Sequence, residues 1–176
     1  MQEAKKQIKK PPVTKQVKKP PVKSAKCPDN PVDLCTEFMK KSVFGWQEWV
    51  LDANTAYKAC CKKKPPKPPK LPRTDCTDQN ECEDVYDLFK DWAKEIHSWA
   101  EKLTDAVDKC FDKWRPKVSL PEVPEAKREK CGQVCATIRR FHEKLADWGR
   151  DIRYPLNNIC ERPGPGLVPE PPKPPF

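Results

Sequence analysis

The chain has 176 residues, 22 of them proline and 10 cysteine, with a hydrophobic share of 36% and a formal net charge of +9. One domain of ordinary size fits that length. So much proline and so little apolar residue exclude a thick core, and no apolar run approaches the roughly 18 residues of a membrane span.

Residues 1–26, "MQEAKKQIKKPPVTKQVKKPPVKSAK", carry nine Lys and one Glu and repeat the block KKPPV at Lys9–Val13 and Lys18–Val22. They hold no apolar run of the about 7–15 residues that a secretory signal shows. Together with the cysteines, this reads as the mature form of a secreted, extracellular chain whose leader has been removed. The arm is too polar to fold and presents a row of charges.

Residues 27–61 form a first unit, opened by Cys27 and Cys35 and closed by Cys60 and Cys61. Between them Met39, Val43, Trp46, Val50, Ala53, Tyr57 and Cys60 follow the 3–4 spacing of a helix with one apolar seam. A linker, 62–75, holds five Lys, one Arg and a run of prolines, and can form neither helix nor sheet. The second unit, 76–114, opens with Cys76 and Cys82 and closes at Cys110. Its seam of Cys82, Val85, Phe89, Trp92, Ile96, Trp99, Leu103, Ala106 and Cys110 is unbroken over about four heptads. After a second Pro-containing linker, 115–130, the third unit spans 131–160. It opens with Cys131 and Cys135, places Val134, Ile138, Phe141, Leu145, Trp148 and Ile152 on a seam that Pro155 is expected to stop, and closes at Cys160. The spans from second to closing cysteine are 25, 28 and 25 residues, a threefold internal repeat. The Pro-rich tail, 161–176, has Pro-x-x-Pro spacings such as Pro169 to Pro172 and reads as a stiff tail with no fixed structure.

Three long helices with matching seams bury them against one another, so the expected fold is all-α, a disulfide-stapled three-helix bundle with extended Lys/Pro-rich arms and linkers. The ten cysteines, an even number, favour a closed disulfide framework. Zinc is the rival, but the C-x3-C pair Cys131 and Cys135 has no second ligand pair of matching spacing. A 28-residue helix is about 42 Å long, too long to bridge its own ends, so each bond links ends of different helices or closes locally at one end. Cys60 and Cys61 are adjacent and reach two different partners. As polyproline II, the spacer from Lys62 to Arg73 spans about 37 Å, nearly one helix length, and can return the chain to its starting end. With all helices parallel, six cysteines lie at one end and four at the other, and Cys60 and Cys61 bridge to Cys110 and Cys160 in either order. An up-down-up bundle leaves five at each end, although short helix connections ordinarily favour it.

Trp46, Trp92, Trp99 and Trp148 lie on the seams and read as core, leaving Trp49 and Trp114 as candidates for surface contact. His97 and His142, flanked by charges, read as solvated. Acidic residues cluster at Asp75, Asp78, Glu81, Glu83, Asp84 and Asp87, where a helix start favours them; they could also receive a basic arm from another copy, a route to self-association.

The net charge hides a segregation. Residues 1–26 carry +8 and 62–73 carry +6, which leaves −5 on the rest. The candidate polyanion-binding residues are therefore Lys5, Lys6, Lys9, Lys10, Lys15, Lys18, Lys19, Lys23, Lys26, Lys62, Lys63, Lys64, Lys67, Lys70 and Arg73. No Gly-rich phosphate loop, nucleophile elbow or metal-binding His motif occurs, so neither an enzyme activity, a small-molecule substrate nor a cofactor is expected. The sequence supports a secreted non-catalytic interaction protein of the salivary, venom or defence type, presenting its arms to an anionic extracellular polymer or surface. The alternative is a structural component of an extracellular material such as silk, cement or cuticle, cross-linked through Lys and Gln or through an unpaired cysteine.

Overall fold

The computed structural model describes residues 26–112, 114–125, 130–160 and 167–176. Among them are three long helices and no strand. Helix α1 (31–61) begins where the Asn30 side chain accepts from the Asp33 N–H at 3.1 Å and Pro31 takes the first turn, a position that needs no donor. A π-helical turn, Met39–Val43, interrupts it. Helix α2 (Cys82–Cys110) is opened by a reciprocal cap between Glu81 and Asp84, which with Asp75 capping a short 3-10 turn accounts for part of the acidic cluster. Helix α3 (Cys131–Tyr154) continues past Pro155 as a π turn, Pro155–Ile159. The expected stop at that proline is thus corrected: the turn closes with the Cys160 N–H on the Pro155 carbonyl, and the chain stays in register for its closing disulfide.

Five disulfides set the order of the helices. Cys27–Cys135, Cys35–Cys76 and Cys82–Cys131 join the opening ends, and Cys60–Cys160 and Cys61–Cys110 join the closing ends, with Cα separations between 5.0 and 6.1 Å. Six cysteines therefore meet at one end and four at the other, so all three helices run parallel and the vicinal pair ties α1 to both neighbours.

The core is aromatic and sits on the bundle axis. Phe38, Phe89, Trp92 and Phe141 form one cluster, edge-to-face at 5.5–6.1 Å between centroids except for the tilted Phe89–Trp92 pair at 6.5 Å. Lower down, Trp49, Trp99 and Trp148, one from each helix, contact one another at 5.9–6.2 Å. Each such pair adds about 0.5–1.5 kcal/mol beyond its buried area. Trp49 was expected at the surface and is 2% exposed. Burial on α1 is wider than one seam: Met39, Val43, Trp46, Val50, Ala53 and Tyr57 are all buried, and Phe38, Ser42, Trp49 and Ala56 are buried beside them, because α1 packs against both other helices. Trp114 is buried as well and packs onto the same core. His142, expected to be solvated, is fully buried and accepts a 2.9 Å hydrogen bond from the Trp46 indole.

Each helix is followed by a proline-rich run that returns along a groove between two helices. Strut 1 (62–75) lies between α1 and α2, where the Asn54 amide donates to the Pro66 carbonyl at 3.0 Å and Glu95 accepts from the Lys70 N–H. Strut 2 (described over 114–125) lies between α2 and α3. There Asp151 accepts from the N–H groups of Lys117 and Val118, and the Lys90 ammonium reaches the Glu125 carbonyl. Strut 3 (Leu167–Phe176) lies between α3 and α1. The Trp49 indole donates to the Pro169 carbonyl at 2.9 Å, and Asn157 pairs with both backbone groups of Val168. Arg139 donates to the Phe176 carbonyl, and Arg153 pairs with Glu170. The expectation of a tail without fixed structure is corrected here, because Val168, Pro171, Pro175 and Phe176 are buried. Gly149 makes the close approach possible: a Cβ there would sit 2.8 Å from the Pro171 ring and 3.3 Å from Trp46.

Candidate polyanion-binding surface

Strut 1 carries all the candidate basic residues that the structure describes except Lys26. It leaves α1 at Lys62, which caps the helix in the left-handed conformation at φ 54° and ψ 24°, its N–H on the Lys58 carbonyl at 3.1 Å. Glycine is the cheaper residue for that conformation, but a cation there faces the negative end of the helix dipole. From Lys64 to Arg73 every third residue is exposed, the period of polyproline II, and Leu71 is exposed beside that row. Pro66, Pro69 and Pro72 turn toward the bundle, with Pro69 buried, while Lys64, Lys67, Lys70 and Arg73 are all exposed. All prolyl bonds among the described residues are trans. The prolines and the backbone carbonyl at Pro66 do the docking, and the charged side chains form a separate outward row.

At the closing end, Lys58, Lys62, Lys63, Lys64 and Pro65 line an open concavity of about 490 Å³. Among the described residues no ion pair engages Lys58, Lys62, Lys63, Lys64, Lys67, Lys70 or Arg73. Lys26 is exposed at the opening end beside Asp29, 3.8 Å away. The remaining candidates, Lys5, Lys6, Lys9, Lys10, Lys15, Lys18, Lys19 and Lys23, lie outside the described residues, as do Gln2, Gln7 and Gln16.

The other two struts supply an internal comparison. On strut 2 the outward positions with the same three-residue spacing are Ser119, Glu122 and Glu125, and on strut 3 they are Leu167, Glu170 and Lys173. Docking therefore uses prolines and backbone groups in all three, and only strut 1 has a uniformly basic outer row. That division was not visible in the sequence, because the inward and outward phases of a polyproline run become distinct only once a groove is in contact with one of them.

Elsewhere the Asp75 carboxyl is held below the usual carboxylate range by hydrogen bonds from the Thr77 backbone and side chain, which suits its capping role. His97 is partly buried, its Nδ1 3.6 Å from Glu101, at the edge of an open concavity of about 870 Å³ between strut 2 and α3. All ten cysteines are bridged, and no described helix is long and apolar enough to cross a membrane. Five disulfides in a chain of this size fit maturation in an oxidising, extracellular setting. Comparison with models of protein families, with curated proteins and with solved structures finds no match to the chain.

Proposed function

We propose that this is a secreted, non-catalytic interaction protein, a stapled helical bundle that holds lysine-rich segments out to an anionic extracellular polymer or surface. One observation carries the reading: three struts dock in equivalent ways, yet only one has an outer row made wholly of cations. Struts 2 and 3 dock without a basic outer row, so the lysines of strut 1 are in excess of what docking requires. With Lys58 beside them and the +8 arm ahead of the bundle in the chain, they concentrate positive charge on Lys/Pro-rich segments of a chain that is otherwise acidic. The rival reading as a cross-linked material loses one of its two routes, because no cysteine is left to join chains.

Binding to immobilised heparin across a salt series tests the proposal. Counterion release makes affinity fall steeply with salt. Deleting residues 1–26 should remove much of the affinity and flatten the slope without changing helix content. Equal retention of full-length and truncated protein at every salt concentration contradicts a role for the arm, and no retention of either contradicts the proposal as a whole.

A further inference from the structure

The strut has a geometry more specific than a patch of charge. Lys64, Lys67, Lys70 and Arg73 fall on one edge of a polyproline run, so they recur about every 9 Å and cover about 28 Å. The row is fixed in direction as well as spacing. Its ends are pinned by the Cys60 and Cys61 bridges on one side and Cys35–Cys76 on the other, and its middle is held by Asn54 and Glu95. A ligand meeting this row orders little backbone, which is where much binding free energy is otherwise lost. Three of the four charges are lysines, which act as point charges without the planar fork that reads a phosphate bidentately. Duplex DNA presents one charge per about 1.7 Å of its axis, far denser than this row. Single-stranded nucleic acid is held by aromatic stacking, and residues 62–75 contain no aromatic side chain. Charges that recur on the scale of two sugar rings match the row better.

Resting on the polyanion reading above, we propose that strut 1 is a rail for a single linear anionic polysaccharide, sulfated or uronate-bearing, lying along the bundle axis with Lys64, Lys67, Lys70 and Arg73 meeting anionic groups on successive repeats.

The test uses the full chain and heparin oligosaccharides of increasing length, titrated calorimetrically at fixed salt. Two triple variants lower the net charge equally: Lys64→Gln/Lys67→Gln/Lys70→Gln on the strut, and Lys40→Gln/Lys102→Gln/Lys144→Gln with one exposed lysine from each helix. For the parent protein, affinity should climb with oligosaccharide length until the sugar spans the row, then level off. The strut variant should lose about tenfold or more with the long sugars and have a shallower salt dependence, while the helix variant stays within about twofold. Equal losses in both variants overturn the rail and leave the polyanion reading standing. Absence of binding by the parent protein overturns both. Tighter binding of single-stranded DNA of equal charge, lost in the strut variant, overturns the assignment to polysaccharide.

Discussion

The His142 imidazole is enclosed between α1 and α3, accepting from Trp46 through Nε2, and burial pushes its pKa from 6.5 down to about 3. In the unfolded chain the same group takes a proton below pH 6.5. The contribution of the neutral ring to stability is therefore complete above pH 6.5 and is lost as the pH falls toward 3, at about 1.4 kcal/mol per pH unit. Denaturant titrations at pH 7, 6 and 5 should show His142→Gln, which keeps an acceptor for Trp46, losing less stability than the parent; parallel losses contradict the assignment. Glycines give a second contrast. Gly149→Ala drives a Cβ into Pro171 and should destabilise by about 1–3 kcal/mol, less the helix-propensity gain. Gly132→Ala, with nothing within 4 Å of its Cβ, should stabilise slightly; thermal melts of the two decide it. Neither role was legible in the sequence. His142 sits between Phe141 and Glu143, a solvated pattern as much as a buried one, and its partner is 96 residues away. Trp49 likewise lies outside the single seam that heptad spacing follows, although it meets Trp99 and Trp148 from the other two helices.

At the scale of elements, strut 1 is held by a few specific contacts rather than by the charges of its outer row. Replacing Lys64, Lys67, Lys70 and Arg73 with Gln should leave the unfolding free energy within about 0.5 kcal/mol, as for other exposed sites. Asn54 behaves otherwise. It donates to Pro66 and accepts from the Trp99 indole at 3.3 Å, so it links α1, α2 and strut 1. Asn54→Ala leaves the buried Trp99 indole and the half-buried Pro66 carbonyl unpaired and should cost about 1–3 kcal/mol for each that finds no water; denaturant unfolding measures the difference, and a loss under 0.5 kcal/mol contradicts the linking role. The return of strut 1 was legible because its length as polyproline II nearly equals that of a helix and cysteines flank it. Strut 3 gave no such sign. Pro-x-x-Pro spacing suits a free tail as well as a docked one, and what separates them is a groove built from Gly45, Gly149, Trp49 and Arg139, residues far from the tail in sequence.

For the whole molecule, the seams and the three-unit cysteine repeat carried most of the architecture. Heptad spacing gave three helices of similar length, and the count of cysteines by end made the parallel order the one in which every bridge closes. The candidate surface was legible only as composition. That lysines cluster on 62–73 is plain in the sequence, whereas their separation from the docking prolines depends on the groove. The central claim is that the three helices run parallel, each paired with a returning strut, and that Cys60 and Cys61 fasten the closing ends. Partial reduction of the oxidised protein, stepwise alkylation and peptide mapping test this most directly, since the vicinal pair must be separated by chemistry rather than by a protease. The account predicts Cys60–Cys160 and Cys61–Cys110, with Cys27, Cys35, Cys76, Cys82, Cys131 and Cys135 bridged only among themselves. A bridge from Cys60 or Cys61 to Cys76 or Cys82 would place α2 antiparallel to α1 and contradict it.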